Sequence, residues 1–189
     1  MSATSAWTGV VLAGGRSSRM GQDKALLQWH GRPLLEHMQA LLRDAGARDV
    51  VISGDRPGYA GIADVQPDLG PLGGLASVID RLADAVTLVV VPVDMPLLSG
   101  ALLERLLAPP HRRCVAFEDQ MLPMRLYVDG AVREALAALM AGAGPSRSLR
   151  ALQAALHCHR VAVTASQRAA FVNCNTPEQW SQLTHENPD

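Results

Sequence analysis

Residues 9–24 read G-V-V-L-A-G-G-R-S-S-R-M-G-Q-D-K and carry the residue types of a polyphosphate grip. An apolar run, Val10, Val11 and Leu12, stops at the pair Gly14 and Gly15, and a polar loop with Arg16, Arg19 and Lys24 follows. Glycine lets the backbone turn sharply and approach a ligand closely, because no Cβ intervenes. The N–H groups exposed in such a turn form a concave anion site. The three cations make this segment locally positive in a chain of formal net charge −1. The pattern is neither the P-loop G-x-x-x-x-G-K-[ST], since Gln22 follows Gly21, nor the dinucleotide fingerprint G-x-G-x-x-G. A glycine pair after a strand is as often a plain tight turn as a ligand site. Arg19, Asp23 and Lys24 shift the balance towards phosphate.

Asp94 is the second candidate. It follows the apolar run Leu88, Val89, Val90, Val91 across Pro92 and Val93. A carboxylate at the carboxyl end of a buried strand lies where open α/β sheets bind ligands. Mg²⁺ takes hard oxygen ligands and commonly uses one or two carboxylates plus phosphate oxygens, which is a role Asp94 fits. The competing reading is a turn or capping aspartate ahead of Ser99. Fixed cations such as Lys24 and Arg19 would stabilise the charge that develops when a phosphorus centre is attacked.

Asn173 and Asn175 flank Cys174, and on an extended segment residues two apart share a side. Two amides facing one cleft would order a metal shell or read a substrate. Equally, they would be turn asparagines leading into a cap at Thr176. His157-Cys158-His159 has no further Cys or His at zinc-site spacing and is read as a strand, with the histidines on one face and Cys158 packed. His37 is read as structural. Trp29 stands near a turn as either a lid or a core residue. No Ser-His-Asp or Cys-His nucleophile constellation is evident.

These residues need a frame that brings strand ends together. Apolar runs alternate with helical stretches, which points to an α/β fold with a mostly parallel central sheet. Strands are expected at 8–12, 50–53, 86–91, 114–117, 124–128 and 157–163. The run at 88–91 has no alternation, as expected for a strand covered on both faces. Helices are expected from Pro33 to a stop at Gly46, over 74–82, after Ser99 as far as Pro109, over 131–141, from a Ser146 cap to Leu156, and after the capping box of Thr176 and Gln179.

The chain has 189 residues, 48% of them hydrophobic and 4% aromatic, which suits one domain spanning 1–189 with an aliphatic core and a fraying tail at 185–189. The net charge argues against a nucleic-acid surface. Cys114, Cys158 and Cys174 form no C-x-x-C pair, so neither a zinc knuckle nor a disulfide framework is indicated. No secretory leader is visible and no apolar run approaches the ~20 residues that cross a membrane, so the cytoplasm is the expected location.

The order of these motifs closely resembles the nucleotidyltransferases that begin L-A-G-G-x-S-x-R-M-G-x-D-K, and among them the molybdenum cofactor guanylyltransferases. The resemblance recurs at G-x-P-L-L-x-H (31–37), D-L-G-P-L-G-G (68–74), V-P-V-D-M-P (91–96) and F-V-N-C-N-T-P-E (171–178). It implies a Rossmann-like three-layer sandwich of the nucleotide-diphospho-sugar transferase type. It implies GMP transfer from GTP, with Mg²⁺, to the terminal phosphate of Mo-molybdopterin, and association with molybdopterin-synthesis or molybdoenzyme-maturation proteins. By the same resemblance Leu12, Ala13, Gly14, Gly15, Lys24, Ser53, Asp68, Gly73 and Asp94 face the nucleotide. Asp94 holds the metal, Lys24 and Arg19 act on the phosphates, and Asn173 and Asn175 face the acceptor. The pair Gly14-Gly15 selects guanine over cytosine in this resemblance. Ser53 stands where an asparagine is common, and Leu122-Pro123 where His-Pro is common. The alternatives are a cytidylyltransferase for the same cofactor, a sugar-phosphate nucleotidyltransferase, and a nucleotide-binding module without turnover.

Overall fold

A computed structural model describes residues 6–14, 23–56, 58–66, 69–142, 144 and 147–187. In chain order its elements are β1 (Trp7–Leu12), β2 (Gln28–Trp29), β3 (Arg32–Pro33), α1 (Leu34–Asp44), β4 (Asp49–Ser53), β5 (Gly61–Ile62) and α2 (Gly70–Ile79). They continue with β6 (Val86–Pro92), α3 (Gly100–Leu107), β7 (Cys114–Phe117), β8 (Met124–Val128), α4 (Gly130–Ala141), α5 (Leu149–Ala155), β9 (His159–Val161) and α6 (Pro177–Glu186). Short 3-10 turns occupy Lys24–Leu26 and Ala165–Phe171.

Among the described residues seven strands form one sheet in the order β5-β4-β1-β6-β8-β7-β9. It is mostly parallel, as expected. Only β8 runs against both of its neighbours, β6 and β7. The short link from Phe117 to Met124 imposes this, because a parallel return needs a crossover of a dozen or more residues. Strand alternation sends Val11, Val89, Val91, Val115 and Phe117 to one face, where they pack with Leu35, Met38 and Leu42 of α1, Leu103 of α3 and Leu183 of α6. Val10, Leu12, Leu88, Val90 and Ala116 go to the other, against Leu72 and Leu75 of α2, Val132 of α4 and Leu152 of α5. Helices on both faces explain why 88–91 is uniformly apolar.

Several boundaries differ from expectation. Helix α2 opens at Gly70 and not at Gly74, so the glycine-rich stretch is itself helical. Pro71 is tolerated in a first turn, where its missing N–H costs nothing. Helix α1 begins at Leu34, with Pro33 as its N-terminal boundary residue, because His30 and Gly31 adopt positive φ and turn the small β2–β3 hairpin immediately before it. Ser99 occupies the N-cap of α3 without a side-chain cap bond, and α3 stops at Leu107. Ser148 caps α5 through Ala151 N–H, whereas Ser146 lies outside the described residues. His157 is in a turn with φ 48° and β9 begins at His159, so the two histidines do not share a strand face. Helix α6 carries the expected capping box and includes His185 and Glu186, two residues of the expected tail. Trp29 is a core residue, 3% exposed and 5.7 Å from the Trp180 ring. Among the described residues no helix is long and apolar enough to cross a membrane.

Candidate active site

The sheet brings three strand ends side by side. Parallel register pairs Leu12 with Ser53 on one flank and with Pro92 on the other, so β1, β4 and β6 finish at the same edge. Helix α1 leaves β1 over one face and α2 returns to β6 over the other. β1 therefore sits where the connections diverge, which is where open α/β sheets leave a crevice beyond their carboxyl ends. Two bonds carry the pairing past the strands, Ala13 N–H to Ser53 O at 2.9 Å and Val93 N–H to Leu12 O at 3.1 Å. A cleft of about 1220 Å³ opens over this edge. Leu12, Ala13, Gly14, Lys24, Ser53, Asp94, Asn173 and Asn175 line it. Gly15, Arg19 and Asp68 lie outside the described residues. Gly73 does not line the cleft. A Cβ there would point at Leu69, 2.6 Å away, and it is Gly74 that faces the opening.

Lys24, Asp94 and Asn175 converge although 70 and 151 residues separate Lys24 from its partners. Lys24 Nζ donates to Asn175 Oδ1 at 2.5 Å and lies 3.5 Å from Asp94 Oδ2. The backbone sets this up twice. Asp23 caps the Lys24–Leu26 turn, its Oδ1 accepting from Ala25 N–H at 3.0 Å. Cys174 N–H donates to Asp94 O at 3.0 Å and so ties the asparagine segment to the end of β6. Cys174 is buried, and burial together with the Asp94 charge pushes its thiol up to about 11, so it stays neutral packing between the two asparagines.

Asp64, just past β5, has no counterpart in the sequence reading. One of its carboxylate oxygens is buried with no hydrogen-bond partner among the described residues, and burial raises its pKa. A Cβ on Gly14 would stand 3.6 Å from that carboxylate, and one on Gly74 would stand 3.2 Å from it and 2.4 Å from Ser53 Oγ. Gly74 is thus glycine because helix and strand approach too closely for anything larger. The result is a polar corner of Ser53, Asp64 and Gly14 at the cleft. β5 has only two residues, so no periodicity announces it, and with it the position of Asp64 is lost to sequence reading. The far wall of the cleft is Gln120, Met121, Leu122, Arg147 and Ser148, from the β7–β8 link and the start of α5.

Among the described residues no three His, Cys, Asp or Glu side chains gather at one point. Asp94 therefore offers one carboxylate, and phosphate oxygens would have to complete an octahedral shell, the mode Mg²⁺ prefers.

His37 braces this edge from outside the cleft. Its Nε2 pairs with Pro96 O at 2.9 Å and its Nδ1 with the Arg32 guanidinium at 3.1 Å. Arg32 can only donate, so Nδ1 accepts and the ring is the neutral Nε2–H tautomer. Burial, with added repulsion from Arg32 and His30, lowers its pKa below the ordinary 6.5. A lowered pKa means that the unfolded chain takes up the proton first, so the His37 contribution is intact above pH 6.5 and is lost as pH falls through its folded value. The melting temperature should therefore fall between about pH 8 and about pH 5.5, and His37→Gln should flatten that fall. An unchanged slope in the variant would remove His37 as the cause.

Residues 9–161 match the family model described as the MobA-like NTP transferase domain. The chain is 80% identical over 183 residues to the molybdenum cofactor guanylyltransferase of Xanthomonas euvesicatoria pv. vesicatoria, covering 97% of both chains. It is 34% identical to the protein of that name from Shewanella amazonensis, covering 93% of this chain and 94% of the relative. Among solved structures, molybdopterin-guanine dinucleotide biosynthesis protein A from Archaeoglobus fulgidus superposes with a TM-score of 0.72 at 18% identity, over 95% of this chain and 97% of that one. The 2-C-methyl-D-erythritol 4-phosphate cytidylyltransferase from Thermus thermophilus superposes with a TM-score of 0.64 at 19% identity, over 92% and 95%.

Proposed function

The chain belongs to the MobA-like NTP transferase family, and from that premise we propose that it is a molybdenum cofactor guanylyltransferase, moving GMP from GTP to the terminal phosphate of Mo-molybdopterin. It is a nucleotidyltransferase of α/β fold. The observation that carries the reading is the meeting of Lys24, Asp94 and Asn175 at the shared edge of β1, β4 and β6. One cation, one carboxylate and one amide there match a nucleoside triphosphate with its counter-ion.

In this reading the triphosphate lies over Ala13, Gly14 and Gly15, with Arg19 and Lys24 against its charge. An oxygen of the acceptor phosphate attacks the α-phosphorus. The new P–O bond forms as the bond to the β-phosphate bridging oxygen breaks, and pyrophosphate departs with that electron pair. The acceptor oxygen is already anionic near neutral pH, so no strong general base is needed, and positioning with charge neutralisation carries the rate. Asp94 would hold Mg²⁺, which when bound supplies additional neutralisation of the phosphates. Asn175 holds the Lys24 ammonium in place, and Asn173 faces the acceptor side. Ser53, Asp68 and Gly73 belong to the nucleotide side by resemblance, and Gly74 lines the cleft beside Ser53. Asp64 lines the nucleotide side of the cleft, where a carboxylate would suit the N1–H and N2 amine donors of guanine, an edge that cytosine does not present. The whole of 1–189 acts as one cytoplasmic domain, and the proteins that make molybdopterin or mature molybdoenzymes are its partners.

Nucleotide-dependent melting tests this reading. A ligand at ~100 times its dissociation constant stabilises by ~2.7 kcal/mol, and each kcal/mol moves a domain of this size by ~2–4 °C. GTP with Mg²⁺ should raise the transition by several degrees more than CTP, ATP or UTP, and a chelator should remove part of that rise. A larger shift with CTP would favour the cytidylyltransferase alternative. No shift with any nucleotide would overturn the polyphosphate site, while binding without pyrophosphate release from a molybdopterin source would leave a module without turnover.

A further inference from the structure

We propose that Arg56 is a positioning residue that sets Lys24 through Asp23, a deepening that rests on the nucleotidyltransferase reading of the cleft. Arg56 stands three residues past β4, with its side chain 13% exposed. One guanidinium nitrogen donates to the carbonyl of Ala13 and the other to Asp23 Oδ2. Ala13 is the first residue beyond β1, and Asp23 is the last before Lys24. A single rigid fork therefore ties the end of β1 to the residue that caps the Lys24 turn.

The division of labour on Asp23 is what makes this a relay. Its Oδ2 is taken by Arg56, while its Oδ1 caps the turn that carries Lys24. With Oδ2 fixed the carboxylate cannot rotate, and the turn's first N–H has one partner at one angle. Lys24 Nζ then arrives at Asn175 Oδ1 and Asp94 Oδ2. A lysine at position 56 would keep the charge but not the planar two-pronged reach to a carbonyl and a carboxylate at once. A charge acting on phosphate would survive that exchange; a fork that joins the Ala13 carbonyl to the Asp23 carboxylate would not.

Lys24 is the only lysine in the chain, so it is the single side-chain amine available to an acylating reagent, with the α-amino group as internal standard. The test is trace acetylation with acetic anhydride, read by mass spectrometry at Lys24, in the parent, Arg56→Met, Arg56→Lys, Asp23→Asn and the Arg56→Met/Asp23→Asn double variant. Asparagine still caps helical turns, so Asp23→Asn removes the ion pair and keeps the cap. The expected result is a changed Lys24 labelling rate in every single variant, with the double variant no further from the parent than either single one. GMP transfer should fall by up to ~10²-fold, the scale of a ~1 Å misplacement, again without the losses multiplying. Lysine at 56 should not restore it. Multiplying losses, or recovery with Arg56→Lys, would overturn the proposal in favour of direct contact with the nucleotide. Parental labelling in the folded single variants would overturn it in favour of a purely structural pair, and should Arg56→Met fail to fold, Asp23→Asn and Arg56→Lys decide. A parent that transfers no GMP would instead sink the reading of the cleft, while the labelling arm would still report on the relay.

Discussion

Lys24→Ala and Asp94→Ala should each lower GMP transfer by at least ~10²-fold, the usual loss when one preorganised electrostatic partner of a reacting group is removed. Neither should unfold the chain. The two side chains line the cleft and belong to neither apolar cluster, so their loss leaves the packing on both sheet faces in place. Folded circular-dichroism spectra with slowed pyrophosphate release would meet the expectation. The two losses should differ in character. Without Asp94 the dependence of rate on Mg²⁺ concentration should shift upwards, whereas without Lys24 it should be retained at a lower plateau. Asn175→Ala should resemble a weaker Lys24 variant, since it removes the 2.5 Å acceptor that holds the ammonium. A folded Lys24→Ala or Asp94→Ala protein with near-parental rate would strike that residue from the mechanism.

Phe117→Ala carries the largest expected stability loss. Phe117 has no exposed surface, packs edge-on to Phe171 at 5.0 Å, and lies under the Arg105 guanidinium at 5.6 Å. Removing a buried phenyl ring costs ~3–5 kcal/mol in transfer and cavity terms, which in a domain of this size is roughly 6–20 °C of melting temperature. Tyr127→Ala, at a site 41% exposed, is the control and should change stability by no more than about 0.5 kcal/mol. The position matters for function as well. Phe117 is the last residue before the link that forms the far wall of the cleft, and Phe171 precedes the segment bearing Asn173 and Asn175. Because GTP is assigned to the β1, β4 and β6 edge, its stabilising effect should persist in Phe117→Ala while the acceptor requirement worsens. A melting change of a degree or less would mean that the phenyl pair is not the brace it resembles.

How much of this was legible from residue order depends on the range of the force involved. β7 and β8 were bounded at 114–117 and 124–128 because apolar runs and turn residues are local signals. The α6 capping box was readable for the same reason, since Thr176 and Gln179 satisfy each other within one turn. The double coverage of β6 was readable from Leu88 to Val91, because only a strand hidden on both faces can be uniformly apolar. The placement of Asp94 just past the end of β6 was readable because the apolar run that precedes it is itself a local signal.

What residue order could not supply is contact across the chain. Asp64 depends on β5, whose two residues are held by pairing with β4 and not by any pattern of their own. Arg56 reads as one more loop cation until β1 and β4 lie side by side and bring it against Ala13 and Asp23. The choice of Gly74 over Gly73 is a matter of helix phase, about 100° per residue, and that phase is set only when α2 packs on β4. Trp29 could have been lid or core until α6 placed Trp180 against it. Propensity, capping and alternation act between residues a few positions apart and are written in their order. A site assembled from positions 24, 56, 64, 94 and 175 exists only once burial of both sheet faces has aligned the strand ends that carry it.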